Sequence, residues 1–310
     1  MKNLVIFFEN LFYRPKWYHW SVGLLLLPIS ILYSLIMLLR RRIVKPLDFD
    51  IPIVSVGNLL IGGSGKTPLT IALAQNFKRP AIILRGYGRK SRGLIVVSEW
   101  GEIKTDVFVS GDEAMLIASK LDQALVIVSE DRVKAIEKAK EMGAKIIFLD
   151  DGFSKVNIKK FEILLFPKKI PNKLPLPSGP FRELFYEKRY ANLILIEDQD
   201  FKRVVKCCKC NKPMLLVTAI ANPSRLEPYI PKDLVKGKLI LPDHSWFNKE
   251  EILKKMKKLG VKKILTTEKD AVKLAKFGID MAVLKLEIDI NFNLLDKLSL
   301  KVLQYREKIT

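Results

Sequence analysis

Cysteine and histidine are scarce in this chain of 310 residues, which has three of the first and two of the second. Cys207, Cys208 and Cys210 crowd into one short stretch, which excludes a disulfide framework and reads as a reduced, cytosolic body. A metal site at Cys-Cys-Lys-Cys would need a second Cys or His pair at ligand spacing, and none accompanies it. Unpaired thiols near a loop between domains are the reading that remains. Acidic residues are also in deficit, 33 against 54 Lys and Arg, for a formal net charge of +21. That excess asks for a polyanion: nucleic acid, an anionic membrane surface or phosphorylated substrates. No internal repeat or low-complexity tract is present. With 49% hydrophobic and 28% charged residues, the balance is that of a globular protein. The length suffices for one large domain or two modest ones.

A long apolar run occurs in only one place. Val22 to Leu39 is uncharged and mostly apolar. As one helix it would extend roughly 27 Å, close to the ~30 Å hydrocarbon core of a bilayer. Trp17, Tyr18 and Trp20 stand at one end, where amphipathic rings favour headgroups. Arg40, Arg41, Arg42 and Lys45 follow at the other and suit anionic lipid. Pro28 would kink such a helix. The run starts too late for a cleaved signal peptide, and arginines replace the cleavage site. The expectation is a hydrophobic membrane helix, spanning the bilayer or lying in one leaflet; a buried core helix is the competing reading.

Beyond Pro46, short buried-type runs alternate with stretches of helical length. Strands are expected at Pro52–Val56, Ala81–Leu84, Ala124–Val128, Lys145–Leu149, Glu162–Phe166 and Leu193–Ile196. Helices are expected at Lys66–Phe77, Glu113–Lys120 and Arg132–Met142. This pattern predicts an α/β fold whose mostly parallel sheet carries helices on both faces. A loop rich in Pro and Lys, Pro167 to Pro180, interrupts it. After a boundary near Lys202 to Lys212, a second alternation predicts a smaller α/β domain. Its strands fall near Leu215–Thr218, Lys238–Leu241, Lys263–Thr266 and Met281–Leu284, and its helices at Asn248–Leu259 and Lys269–Phe277. The expected organisation is an anchoring segment 1–45, a nucleotide-binding domain 46–204, and a smaller domain 205–310 contributing to the active-site cleft.

The first of these strands runs into Leu60-Ile61-Gly62-Gly63-Ser64-Gly65-Lys66-Thr67 and then a helix. A glycine-rich turn at a helix amino end lets backbone N–H groups converge on phosphate oxygens. Lys66 then reaches the β- and γ-phosphates, and the Thr67 hydroxyl ligates Mg²⁺. Leu60 departs from the usual P-loop, which has Gly at that position. The strand Lys145–Leu149 ends in Asp150-Asp151-Gly152, where P-loop enzymes keep a carboxylate for the metal; a turn role is the plainer alternative.

Arg85-Gly86-Tyr87-Gly88-Arg89 suits either a loop gripping anions or a solvated turn. In Gly111-Asp112-Glu113 either acid serves as a helix cap, a general base or a metal ligand. His19 sits among aromatics in the amino-terminal segment and reads as interfacial. His244, beside Asp243, is the one histidine open to catalysis in the remainder.

Taken together these motifs resemble the tetraacyldisaccharide 4′-kinase (lipid A 4′-kinase) family, in order and over nearly the whole chain. The resemblance rests on Val56-Gly57-Asn58 with Gly62 to Pro68, Arg85 to Arg89, Gly111 to Glu113 and Asp150 to Phe153. It continues through Pro177 to Glu183, Ala221-Asn222-Pro223, Pro242-Asp243-His244 and Thr267 to Lys273. The family's loop likewise lacks Gly at the place of Leu60. The resemblance implies transfer of the ATP γ-phosphoryl group to the 4′-hydroxyl of a tetraacyldisaccharide 1-phosphate, giving lipid IVA. It also implies Mg²⁺ and attachment to the cytoplasmic face of the inner membrane. Leu60 to Thr67 would hold ATP; Thr67, Asp150, Asp151 and Glu113 would serve the metal. Asp112 and His244 would form the dyad that activates the hydroxyl, aided by Lys66, with domain closure over the substrates. Arg85, Arg89, Asn58 and Arg182 would contact the substrate. Ser154-Lys155, Ala114 and Ser245 depart from the family pattern and affect only peripheral contacts. The rivals are a membrane-associated P-loop NTPase without lipid kinase activity, and a nucleic-acid-binding module. The latter is disfavoured because the cations are dispersed and the aromatics cluster at the amino terminus.

Overall fold

The structure, a computed structural model, describes residues 2–62, 65–290 and 292–307. Three helices open the chain: α1 (Lys2–Tyr13), α2 (Trp17–Leu25) and α3 (Leu27–Ile43). Then follow β1 (Ile53–Gly57), α4 (Lys66–Ala74), β2 (Pro80–Leu84), β3 (Ile95–Glu99), β4 (Glu102–Ile103), α5 (Val107–Ser110) and α6 (Asp112–Lys120). Next come β5 (Leu125–Val128), α7 (Arg132–Glu141), β6 (Ile146–Asp150), β7 (Phe161–Phe166) and β8 (Leu193–Ile196). The strands form an eight-stranded sheet ordered β4-β3-β5-β2-β6-β1-β7-β8. Every residue of β1, β2, β5, β6 and β7 is buried, as parallel strands covered on both faces require. The pairs β2/β5, β1/β7 and β7/β8 are parallel, whereas β3 pairs antiparallel with both β4 and β5. The sheet is thus mixed but mostly parallel. The β3–β4 hairpin turns on Trp100 and Gly101, both at positive φ (49° and 99°), as a two-residue primed turn demands.

A five-stranded sheet, ordered β11-β10-β12-β13-β9, is built from β9 (Phe201–Cys208), β10 (Met214–Thr218), β11 (Val235–Ile240), β12 (Lys263–Thr267) and β13 (Met281–Ile290). Helices α8 (Lys249–Leu259) and α9 (Glu268–Leu274) lie between its strands in sequence, and α10 (Phe292–Glu307) follows. Asn248 caps α8 and Gly260 ends it in the left-handed conformation. The stretch expected as a boundary is therefore strand β9. Cys207 and Cys210 pair as a disulfide and Cys208 stays a free thiol, correcting the expectation of unpaired thiols. Lys209 at φ 62° makes the turn that brings their Cα atoms to 5.8 Å, within bridging range.

The chain divides into two compact units. One comprises Met1–Lys66, Leu149–Phe201 and Asn291–Thr310; the other comprises Thr67–Phe148 and Lys202–Ile290.

In the first unit, the expected single helix over Val22–Leu39 is two helices. Among the described residues no single helix is long and apolar enough to cross a membrane. The pair α2 and α3 together has the length and composition, bent by 59° at the break. Pro28 lies in the first turn of α3 and has no N–H to return to the preceding turn, so α2 stops and α3 starts afresh. Helix α3 alone, 17 residues, extends about 26 Å, short of the hydrocarbon core. One side of the pair exposes Leu25, Ile29, Leu32 and Ile36. The other side is polar and tied to the Pro-rich loop. Ser30 Oγ donates to Ser178 Oγ (2.8 Å), Ser178 Oγ to the Gly23 carbonyl (2.7 Å), and Asn172 Nδ2 to the Leu11 carbonyl (3.1 Å). His19 is not interfacial: it is 2% exposed, and its Nδ1 accepts the Lys16 N–H (2.9 Å) at the head of α2.

Arg41 likewise turns away from solvent. It pairs with Glu183 (2.5 Å) and Glu187 (2.9 Å) and lies over the rings of Phe153 and Tyr190. The headgroup role expected of all three arginines is thereby withdrawn from Arg41.

Candidate active site

In the first unit, β1 delivers Gly57 and Asn58 into the glycine-rich loop. Leu60 is buried at 4% exposure and packs with Phe153, Leu164, Phe166 and Phe181. A glycine there would leave a hole in that cluster, which accounts for the departure from the usual loop. Ile61 takes a hydrogen bond from Tyr13 Oη on its carbonyl and donates its N–H to Pro180 (2.9 Å). Gly62 and Gly65 both hold positive φ, 100° and 85°, where a side chain is strained. Gly63 and Ser64 lie outside the described residues. Lys66 Nζ donates to Asn58 Oδ1 (3.1 Å) and stands 3.6 Å from Asp151 Oδ1. Arg182 grips Asp151 with its two terminal nitrogens, Nη1 and Nη2, each at 2.9 Å, and Nη2 also donates to the carbonyl and side-chain oxygens of Asn58. The geometry thus joins Asn58, Lys66, Asp151 and Arg182. Asp150 is buried at the last position of β6. Lys66 and Arg182 both stand beside the glycine-rich loop, and the loose Lys66–Asp151 pair can exchange for an anion.

In the second unit, Gly111 at φ 85° turns the chain so that Asp112 opens α6. Asp112 is not merely a cap, since His244 Nδ1 lies 3.0 and 3.2 Å from its two oxygens. That contact assigns the ring proton to Nδ1, as the donor to a carboxylate. His244 itself takes φ 57° and donates its backbone N–H to the Ala219 carbonyl (3.1 Å). Gly88 packs so close that a Cβ there would meet His244 Cβ at 2.8 Å, and its φ of 72° independently favours glycine. Trp246 stacks on Phe108 at 4.2 Å, fastening the His244 loop to α5.

Burial alone would raise the Asp112 carboxyl. The His244 hydrogen bond and the charges of Lys269 and Lys273 outweigh it and hold the group down at about 2. Burial favours neutral His244, yet the Asp112 hydrogen bond and charge lift its pKa above the ordinary value, against the opposing charge of Lys269. Lys269 Nζ sits 3.3 Å from His244 Nε2, 3.2 Å from Glu113 and 3.4 Å from Asp243. Burial works against its charge, but those carboxylates and Asp112 prevail and keep it cationic.

The other expected contacts are spread within this unit. Arg85 is exposed beside Tyr87. Arg89 is turned inward to Glu130 (2.5 Å) and the Gly93 carbonyl (2.7 Å). Glu113 pairs with Lys269, and Thr67 follows Lys66 in the first turn of α4. Lys269, Asp270 and Lys273 entered the sequence reading only within the resemblance motif Thr267 to Lys273, without a role. A further signal was the spacing of two lysines four apart on one helix, which puts both on one face.

A glycine-rich loop with Lys66 after a strand, in one unit, and a carboxylate–imidazole pair, in the other, are each features that a nucleotide-dependent phosphotransferase uses. The family model of LpxK, tetraacyldisaccharide-1-P 4′-kinase, matches residues 22–210 and 207–304, and the chain belongs to that family. Among its relatives is the tetraacyldisaccharide 4′-kinase of Aliarcobacter butzleri, 48% identical, aligned over 94% of this chain and 95% of that one. The enzyme of the same name from Helicobacter pylori strain 26695 is 43% identical over 98% and 97% of the two chains. The crystal structure of LpxK from Aquifex aeolicus in complex with ATP superposes with a TM-score of 0.76 at 30% identity, covering 92% of this chain and 99% of that one.

Proposed function

We propose that the chain carries the γ-phosphoryl group of ATP to the 4′-hydroxyl of a tetraacyldisaccharide 1-phosphate, forming lipid IVA. It works with Mg²⁺ at the cytoplasmic face of an inner membrane. The observation that carries the chemistry is the Asp112–His244 contact at 3.0 Å. His244 is the accessible member, with its side chain 22% exposed against 2% for Asp112. Asp112 holds the Nδ1–H tautomer and leaves Nε2 to take the hydroxyl proton; the Asp112 charge favours that transfer, against the opposing charge of Lys269. The hydroxyl oxygen bonds to the γ-phosphorus, the bond to the β–γ bridging oxygen breaks, and ADP leaves. Lys66, the loop N–H groups and Arg182 hold phosphate oxygens and offset their charge.

The donor set fits Mg²⁺: a hydroxyl from Thr67 and a carboxylate from Asp150 are hard oxygen ligands. Among the described residues no group of three or more His, Cys, Asp or Glu side chains is placed to hold a metal alone. When bound, the ion neutralises phosphate charge. The eight-stranded sheet then reads as P-loop NTPase-like, with the phosphate loop after β1 and the metal acid at the end of β6.

For the membrane, support comes from the exposed Leu25, Ile29, Leu32 and Ile36, with Arg40 and Arg42 on the last turns of α3. The bent pair, polar on its inner side, suits a helix lying in one leaflet, and the net charge serves anionic lipid rather than nucleic acid.

Purified protein with radiolabelled ATP, Mg²⁺ and the tetraacyldisaccharide 1-phosphate in detergent tests the chemistry. Label in the lipid product is expected. ATP hydrolysis indifferent to the acceptor would mark a P-loop NTPase instead. Sedimentation with vesicles tests the membrane: binding to anionic vesicles should drop when Leu25, Ile29 and Leu32 become serine, and unchanged binding would defeat the docking role of that face.

A further inference from the structure

Lys269 apart, the segment Thr267 to Lys273 has no role in the chemistry above, yet it converges on the Asp112–His244 pair. Lys273 is 2% exposed, and its ammonium touches Asp112 Oδ2 (3.1 Å), Asp270 Oδ1 (3.1 Å) and the Ser245 carbonyl (3.2 Å). Two carboxylates at ion-pair distance and one carbonyl acceptor thus surround this buried cation and offset its desolvation. Asp270 is completely buried. Its Oδ2 accepts from Thr218 Oγ1 (2.7 Å), Thr267 Oγ1 (2.9 Å) and the Ala219 N–H (3.1 Å). Thr218 ends β10 and Thr267 ends β12, two parallel neighbours, so Asp270 locks α9 to the carboxyl ends of both strands. Ala219, held through its N–H by Asp270, is also the residue whose carbonyl takes the His244 backbone N–H. Ser245, held by Lys273, is the residue after His244.

We infer that Asp270 and Lys273 are positioning residues for phosphoryl transfer: Lys273 aims the second oxygen of Asp112, and Asp270 sets the backbone that presents His244. Each dyad member thus has its own support, and both supports meet in one ion pair four residues of helix long. The inference rests on the reading of Asp112 and His244 as the proton-accepting pair. Nδ1 lies 3.0 Å from Oδ1 and 3.2 Å from Oδ2, so a carboxylate pinned at Oδ2 by Lys273 fixes the plane against which the ring sits. Without that hold, the ring swings about its Nδ1 contact and Nε2 loses its aim, the kind of misplacement that costs up to about 100-fold in rate.

The test is a double-mutant cycle on kcat with the full-length enzyme. Lys273→Met should lower kcat roughly 10- to 100-fold while the KM for ATP stays within about twofold, because ATP is held elsewhere. Thr218→Val, which removes one Asp270 donor without touching the ion pair, should lower kcat in the same sense by a smaller factor. In a His244→Ala background neither change should cost anything further, since there is no ring left to aim. Additive losses in that background, or an unchanged kcat for Lys273→Met, overturn the inference. If His244→Ala itself turns over normally, the dyad reading fails rather than this one. Should Lys273→Met not fold, Thr218→Val carries the same cycle.

Discussion

Two buried cations in this molecule each bridge two carboxylates, and they do so to opposite effect. In the first unit Arg41 spans Glu183 and Glu187; in the second Lys273 spans Asp112 and Asp270. Burial and the nearby Glu183 push the Glu187 carboxyl up to about 7, despite Arg41. Asp112 is buried as well, yet is held at about 2. The difference is donor supply. Arg41 is shared between the two acids, and its flat guanidinium is flanked by aromatic rings. Asp112 has His244, Lys269 and Lys273, while Asp270 has two hydroxyls and an amide besides. A pair that only fastens a helix tolerates a proton. A pair that orients a base has to stay charged.

The largest effect should come from the second pair. Replacing His244 or Asp112 by Ala is expected to lower kcat by about 10²- to 10⁴-fold, the range for a positioned acid–base group, with ATP affinity retained. Near-normal turnover would remove the chemical side of the contrast. In the same enzyme kcat should rise with pH through a midpoint above 6.5, because His244 must be neutral to accept a proton and its pKa is lifted. Asp112→Asn removes the lifting partner, so whatever activity remains should titrate at lower pH; a midpoint that does not move would contradict the pairing.

Next in size is Arg41→Met, which leaves two acids buried without their cation. Denaturant unfolding should show a loss of about 3–5 kcal/mol, with much of it restored by adding Glu183→Gln and Glu187→Gln. If the single change proves neutral, Arg41 does not fasten α3. A smaller signature belongs to Glu187. Its folded pKa lies above its ordinary 4.5, so its contribution is complete below that value and fades as pH rises through about 7. Melting temperatures followed across that window should decline less in Glu187→Gln than in the parent. The smallest expected effect on stability is Gly88→Ala, about 1 kcal/mol or somewhat more from the positive φ, accompanied by a several-fold fall in kcat as the added methyl presses on His244. Stability lost with kcat intact would show that the loop does not set the ring.

Much of this was legible in the chain because the signals are local. The runs Ile53–Val56, Leu125–Val128 and Ile146–Leu149 are Val, Ile and Leu with little interruption, and they are buried strands. The glycine-rich loop announced itself through its glycines, and Asp112 and His244 stand together as the family resemblance implied. What escaped is decided by distant partners. Three consecutive arginines after an apolar run look alike in sequence, yet Arg41 is claimed by two glutamates far along the chain. The Lys269–Lys273 spacing identifies a helix face, but not that the face meets Asp112. Strand β9 was hidden by lysines and cysteines, since an edge of the five-stranded sheet tolerates polar residues. Pro28 was recognised as a kink; that it ends one helix and begins another depends on the polar floor formed by Asn172 and Ser178.

That floor bears on how the protein is handled. Removing an amino-terminal apolar segment is the habitual route to a soluble enzyme. Here α1 reaches the phosphate loop through Tyr13 on the Ile61 carbonyl, and Leu11 is fully buried. Tyr33 Oη also donates to the Arg182 carbonyl at 2.6 Å, next to the residue that grips Asp151. A truncation after Lys45 would therefore remove the contacts made to Ile61 and Arg182 and bare the polar floor to water. The better-conditioned soluble variant keeps every residue and recodes only the outward side chains of α2 and α3.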